Sequence, residues 1–255
     1  MALLSVDYNV ITVTMIILKT SLQILLLGAV ILFSVSCEDY LPESNEPFDF
    51  TDSRDGNSYT ALKIGDQTWM IKNLAYLPSV APSSEGSESS PFYYVYDYQG
   101  TDIAEAIATS NYESYGVLYN WHAALTACPS GWHLPTETEW QTLEMHVALD
   151  EIDVDRIEWR GRPELLGTKL RSTSGWDSDG NGDNSSGFNA LPAGFCMGGG
   201  SFQEEGRWAT FWTSTEIDPP YNVLPWYRGL RSNEDGVHRV TTFYHSGFSV
   251  RCVKD

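Results

Sequence analysis

An α+β domain is the fold class the sequence predicts, and three observations point to it. Two segments, Gly116–Cys128 and Thr136–Val147, carry apolar residues at helical spacings of three and four. Around them lie short runs rich in β-branched and aromatic residues, bounded by turn signals. The 21 glycines and 12 prolines among 255 residues break up the rest of the chain. That pattern suits two helices set among short, twisted antiparallel strands and long loops.

The first 36 residues read as an export signal rather than as fold. Leu22–Val35 is an apolar run preceded by Lys19, and it leads to Ser36-Cys37. There a lipoprotein signal peptidase would leave Cys37 as a new first residue for acylation. The alternatives are a plain secretory signal and an uncleaved single-span anchor. Residues 37–58 are acidic, carry Pro42 and Pro47 and lack a periodic apolar face, which predicts a flexible tether. The structured domain is expected over residues 59–255.

Within it, Tyr59–Leu74 predicts a hairpin. Leu62 and Ile64 alternate on one face, Gly65-Asp66 supplies a two-residue turn, and Trp69 and Ile71 continue the alternation. Residues 78–91 form a low-complexity loop, and Phe92–Tyr98 is a β-forming run. In the first helix Leu118, Trp121, Leu125 and Cys128 share a face. In the second, Thr136 and Glu139 form a capping box ahead of the stripe Trp140, Leu143 and Val147. After Trp176 the chain is rich in loops and strands, and Phe248–Val253 reads as a closing strand.

With 15 Lys+Arg against 34 Asp+Glu, the formal net charge is -19. Such a chain repels phosphate backbones, so nucleic acid is excluded as a partner, and so is docking on anionic lipid through basic patches. Export implies an oxidising compartment. With Cys37 assigned to lipid, the expected disulfide joins Cys128 at the end of the first helix to Cys252 in the last strand. Closing a loop that spans most of the domain stabilises it by roughly 4–5 kcal/mol in chain-entropy terms. The alternative pairing is Cys196 with Cys252.

Two constellations carry possible chemistry. Asp177, Asp179, Asn181 and Asp183 place oxygen side chains at alternate positions with Gly182 at the turn, as in the first half of an EF-hand loop. Calcium is therefore the candidate ion, and the candidate cofactor set holds nothing else. The twelfth position is Phe188 rather than Glu, and Asx-Gly runs also form turns that hold no ion. The second set is Trp208, Tyr221, Trp226, Arg228 and Arg231. Ring faces stack on sugar C–H surfaces and guanidiniums bind hydroxyls or carboxylates, so these five are the candidate ligand-binding residues. Trp69, Trp121, Trp132, Trp140 and Trp212 read as core. No nucleophile elbow, zinc-protease, phosphate-loop or dinucleotide motif occurs, so no residue is assigned a catalytic role.

The motifs Ile64–Trp69 with Lys72–Leu74, Tyr119–Trp121, Cys128–Thr136 with Glu139-Trp140, Gly187–Gly194, Phe211–Glu216 and Ser249–Asp255 together resemble the Fibrobacter succinogenes major paralogous domain. The resemblance runs from about Tyr59 to Asp255 and implies an exported, lipid-anchored bacterial protein. Trp132–Trp140 and Gly247–Arg251 also resemble the helix start and last strand of formylglycine-generating enzymes. That wider similarity implies a C-type-lectin-like fold, whose long-range disulfide matches the places of Cys128 and Cys252. The redox cysteine pair of those enzymes has no counterpart, because Trp226–Asn233 contains no cysteine. The expectation is a non-catalytic binding or interaction module for a glycan or protein ligand, held by its lipid at the bacterial cell envelope, in the outer membrane. The rival readings are a structural subunit of a surface assembly and an envelope enzyme.

Overall fold

The computed structural model describes residues 46–217 and 223–255. Cys37, the export signal and Tyr221 lie outside the described residues, and so do the expectations placed on them. Among the described residues, no helix is long and apolar enough to cross a membrane.

In chain order the elements are β1 (Phe48–Thr51), β2 (Ser58–Ile64), β3 (Gln67–Met70), β4 (Tyr93–Tyr94), α1 (Ile103–Ile107), α2 (Ser110–Tyr115), β5 (Leu118–Tyr119), α3 (Trp121–Ala127) and β6 (Trp132–His133). They continue as α4 (Glu137–Val147), β7 (Glu158–Arg160), α5 (Leu166–Leu170), β8 (Phe195–Cys196), β9 (Phe202–Gln203), β10 (Trp208–Glu216), β11 (Pro225–Arg231), β12 (Val237–Thr241) and β13 (Val253–Lys254). Two larger antiparallel sheets, ordered β1-β2-β3-β13-β6 and β10-β11-β12-β7, organise an α+β domain. Five α-helices appear among the described residues where the periodicity predicts two. The additional ones, α1, α2 and α5, have five or six residues, too few for a periodic stripe to show.

The predicted hairpin is β2–β3, turning at Gly65-Asp66 with Ile64 opposite Gln67. Gly65 has φ +64°, the left-handed conformation that a two-residue hairpin loop demands. Part of the expected tether is structured. Phe48–Thr51 pairs in register with Ser58–Ala61 as the edge strand, and Phe50 stacks on Trp132 at 4.5 Å, so the fold begins by Phe48 rather than Tyr59. Phe92–Tyr98 yields only the short strand β4, which pairs with β5.

Helix α3 starts later than its spacing suggests. Asn120 is its N-cap: one side-chain oxygen accepts from the amides of Ala123 and Phe92, which satisfies a helix end and a loop together. Leu118 therefore sits in a strand, and Leu125 is exposed. The buried face of α3 is Trp121, Ala123, Ala124 and Ala127, and the small alanine side chains permit close approach. The Thr136–Glu139 capping box of α4 is present with both reciprocal bonds. Trp69, Trp121, Trp140 and Trp212 are buried, and Trp132 is half-buried against the same core.

Two further features of the core have no apolar signature. Glu137 and Glu144 lie seven residues apart on α4, hence on one face. They meet Arg228 of β11, Arg239 of β12 and Arg160 of β7. Arg228 donates to Glu137 in a bidentate pair at 2.8 Å and to Glu144 at 2.7 Å. Arg239 donates to Glu137 at 2.5 Å, and Arg160 donates to Glu144. The helix is thus bolted to the second sheet by two carboxylates and three guanidiniums. Burial opposes the charge of Arg228 and of Arg160. At Arg228 the two carboxylates outweigh it and raise the pKa; at Arg160 burial prevails, aided by the neighbouring Arg228 charge, and the pKa falls. The second feature is Arg251, fully buried with no carboxylate partner among the described residues. It donates to the side chain of Asn73 at 2.7 Å and to the carbonyls of Phe188 and Asn189 at 2.7 and 2.8 Å, between the rings of Phe188 and Phe211. Burial alone pulls its pKa down to about 9.

The predicted disulfide is present. Cys128 caps the C-terminus of α3 and bonds Cys252 with a Cα–Cα distance of 6.0 Å. Cys196 is the free cysteine among the described residues, buried with Tyr94, Leu118 and Ala193. The expected closing strand is regular only at Val253–Lys254. Residues 248–252 instead reach several neighbours, through bridges of Phe248 to Tyr119 and of Ser249 to Phe211.

Candidate functional site

Strand alternation builds an aromatic-walled cleft. Along β11, Tyr227, Gly229 and Arg231 point to one face of the sheet, while Trp226, Arg228 and Leu230 point to the other, toward α4. On the paired strand β10, Trp208 stands opposite Arg231 and Thr210 opposite Gly229. The Trp208 indole lies across Gly229: a Cβ there would come within 2.9 Å of the ring, so only glycine lets it lie flat. The Arg231 guanidinium sits 5.5 Å from the same ring. Trp159 and His238 carry the aromatic surface further across the sheet, with Trp159 5.8 Å from Trp208 and stacked on His238 at 4.8 Å.

Beside this platform is a cleft of about 420 Å3, bounded by Phe195, Trp208, Tyr227, Arg231, Phe248 and Glu204, with Thr210, Thr242 and Ser246 supplying hydroxyls. The Tyr227 ring packs on Phe248 at 4.8 Å, and burial pushes its phenol up to about 12, so it stays a neutral hydrogen-bonding group at physiological pH. Glu204 adopts φ +62° in the β9–β10 turn and lines the cleft. One carboxylate oxygen is enclosed and accepts no hydrogen bond, although it forms an ion pair with the Arg207 guanidinium at 3.5 Å. An acceptor without a donor in a cleft walled by rings suits a ligand that brings both C–H faces and hydroxyl or amine donors.

The structure splits the sequence-derived ligand set. Trp208 and Arg231 share the cleft, and Tyr221 lies outside the described residues. Arg228 and Trp226 do not belong to it. Arg228 is buried in the ion cluster with Glu137 and Glu144, and Trp226 is buried beneath the Arg239 guanidinium at 4.1 Å. Their odd offset from Arg231 puts them through the sheet. Tyr227, Glu204, Phe248 and Trp159 complete the surface. Parity along β11 identifies Tyr227 once Arg231 is chosen, whereas Glu204 and Phe248 arrive through tertiary packing.

The acidic run is a turn whose side chains serve the backbone. Asn181 accepts from the Trp176 amide at 3.1 Å, and Asp183 accepts from the Ser185 amide at 2.9 Å. The Asp177 carboxyl is instead set beside Gly206, and Asp179 takes a left-handed φ of +58°. Asp177, Asp179, Asn181 and Asp183 therefore do not converge as a calcium loop would, and the described residues hold no cluster of three or more acidic, histidine or cysteine side chains placed for a metal. Glu137 is a core ion-pair partner. His133 is a structural bridge, bonded to Asp255 and Glu139 at 2.7 Å each.

The family model of the Fibrobacter succinogenes major domain matches residues 62–254. No curated protein and no solved structure matches the chain significantly.

Proposed function

The chain belongs to the Fibrobacter succinogenes major domain family, and from that premise we propose that it is a non-catalytic saccharide-binding module displayed at a bacterial cell envelope. The observation that carries the reading is the Trp208 ring laid over Gly229, flanked by Arg231 and by a Glu204 oxygen that is ion-paired with Arg207 but accepts no hydrogen bond. A pyranose presents a flat C–H face to such a ring, and its hydroxyls supply the missing donor and accept from the guanidinium.

The proposed architecture is C-type-lectin-like. The α+β layout and the Cys128–Cys252 bond between an early helix and the chain's last strand region support it. The proposed lipid anchor at Cys37 and outer-membrane location rest on the Leu22–Val35 run that precedes that cysteine. A binding role rather than catalysis is favoured by the state of Cys196, whose thiol burial pushes up to about 12, far from the exposed, low-pKa thiols that do redox work.

Glycan-array screening followed by calorimetry on the purified chain tests this. Trp208→Ala should weaken saccharide binding by about tenfold or more, the scale of one lost stacking contact plus its buried area. Circular dichroism should show the fold unchanged. Absence of any saccharide ligand, or equal affinity in the variant, overturns the reading.

A further inference from the structure

Resting on the saccharide reading above, we propose that the ligand is an extended chain of β-linked pyranose units. One unit lies against Trp208 and Arg231, and the next lies against Trp159 and Arg162.

A row of residues crosses the second sheet on one face. Thr210 stands opposite Gly229, Gly229 opposite His238, and His238 opposite Trp159. Directly opposed residues of antiparallel strands share a face. Gly229 leaves a gap in that row, where a Cβ would meet Cβ of His238 at 3.3 Å as well as the Trp208 ring. The Trp208 indole fills the gap and comes within 5.8 Å of the Trp159 ring and 6.1 Å of the His238 ring. Three rings therefore form one floor that reaches from β10 toward the edge strand β7, and both tryptophans are only half-buried. Burial outweighs the carboxylates of Glu158 and Glu234 and lowers the pKa of His238, so this ring stays uncharged at neutral pH.

The same pairing of groups occurs twice along this floor. Each tryptophan has a guanidinium beside it, Arg231 at 5.5 Å from the Trp208 ring and Arg162 at 5.9 Å from the Trp159 ring. Among the described residues, the Arg231 side chain makes neither a salt bridge nor a hydrogen bond. Arg162 is held by Glu234 through Nε and Nη2 at 2.7 and 2.6 Å, which leaves the N–H groups of Nη1 to donate. A pyranose uses both members of such a pair, the ring for its C–H face and the guanidinium for its hydroxyls. Two pairs side by side suit consecutive units of one chain. The planes of Trp208 and Trp159 are inclined by 45°, so a single rigid planar molecule cannot lie flat on both. Units joined by a rotatable glycosidic bond can, and β-linkage keeps them extended along the row. Because cross-strand packing sets both rings before binding, little ordering cost remains for the longer ligand.

NMR titration of the purified chain with ladders of β-1,4-linked glucose, xylose and mannose, from monosaccharide to hexasaccharide, tests this. Affinity should rise about tenfold or more as the chain lengthens from one unit to three, the scale of one further stacking contact plus its buried area. Trp159→Ala should abolish that gain and keep the monosaccharide affinity within about twofold of wild type, whereas Trp208→Ala should weaken every member of the ladder. Arg162→Ala, at an exposed position, should reduce the same gain and provides a second variant should Trp159→Ala fold poorly. Affinity independent of chain length, or a gain that survives in both variants of the outer pair, overturns the inference and leaves the saccharide reading standing. Failure of every ladder to bind also overturns it, and the glycan array then decides whether the saccharide reading falls as well.

Discussion

Replacing Glu144 by glutamine is the sharpest test of how α4 is held to the second sheet. Glu144 and Arg160 are almost wholly buried, and Arg160 has no other carboxylate partner within the cluster. Glu144→Gln leaves three guanidiniums facing Glu137 alone, with Arg160 stranded. Removing one member of a buried pair costs about 3–5 kcal/mol. For a domain of this size that lowers Tm by about 6–20 °C. Arg228→Met is the informative comparison, although Arg228 makes more of the bonds. Without it, Glu137 keeps Arg239 and Glu144 keeps Arg160, so the remaining charges balance two against two. The cost then reduces to under-satisfied carboxylate oxygens and altered packing, about 1–3 kcal/mol. Urea denaturation of both variants, oxidised and at equal pH, measures the difference. The reasoning is refuted if Arg228→Met is the more damaging substitution, or if Glu144→Gln costs less than about 1 kcal/mol, the value expected of a solvated surface pair.

Two other consequences are open to measurement. Burial opposes the charged form of His133, but its hydrogen bonds to Asp255 and Glu139 outweigh that and raise its pKa. Its stabilising contribution is thus complete below the ordinary histidine value and lost as pH rises through the raised one. A Tm–pH profile should show that decline in the wild type and lose it in His133→Gln; an unchanged slope would sink the assignment. The buried Cys196 thiol, with its pKa near 12, should resist alkylation at neutral pH and react only after denaturation; peptide mapping that finds Cys196 labelled in the native protein contradicts its placement.

What the sequence conveys most clearly is local. The β2–β3 turn and the capping box of α4 are set by residues three or fewer apart, and both stand as read. The Cys128–Cys252 pair follows from compartment and resemblance together. The start of α3 misleads because Leu118 and Leu125 satisfy helical spacing by coincidence. Asn120, a strong cap, marks the boundary that apolar periodicity does not. The ligand set fails in a more instructive way. Choosing Trp226, Arg228 and Arg231 by residue type overlooks that even and odd positions of one strand occupy different faces, so a single decision about Arg231 decides the other two. The ion cluster and Arg251 were illegible for another reason. A buried charge is betrayed only by its partners, and the side-chain partners here lie between 16 and 178 residues away.

The position of β13 bears on how such a chain comes to be assembled. Val253 pairs on one side with Trp69 and on the other with His133. As the chain is made from its N-terminus the early hairpin therefore emerges with an open edge and waits through most of the polypeptide for the strand that closes it, a topology associated with slow folding. The thiols follow the same order: Cys196 becomes available to Cys128 before Cys252 does. Correct maturation thus favours either a delay in oxidation until packing has hidden residue 196, or a catalyst that reshuffles an early mispairing.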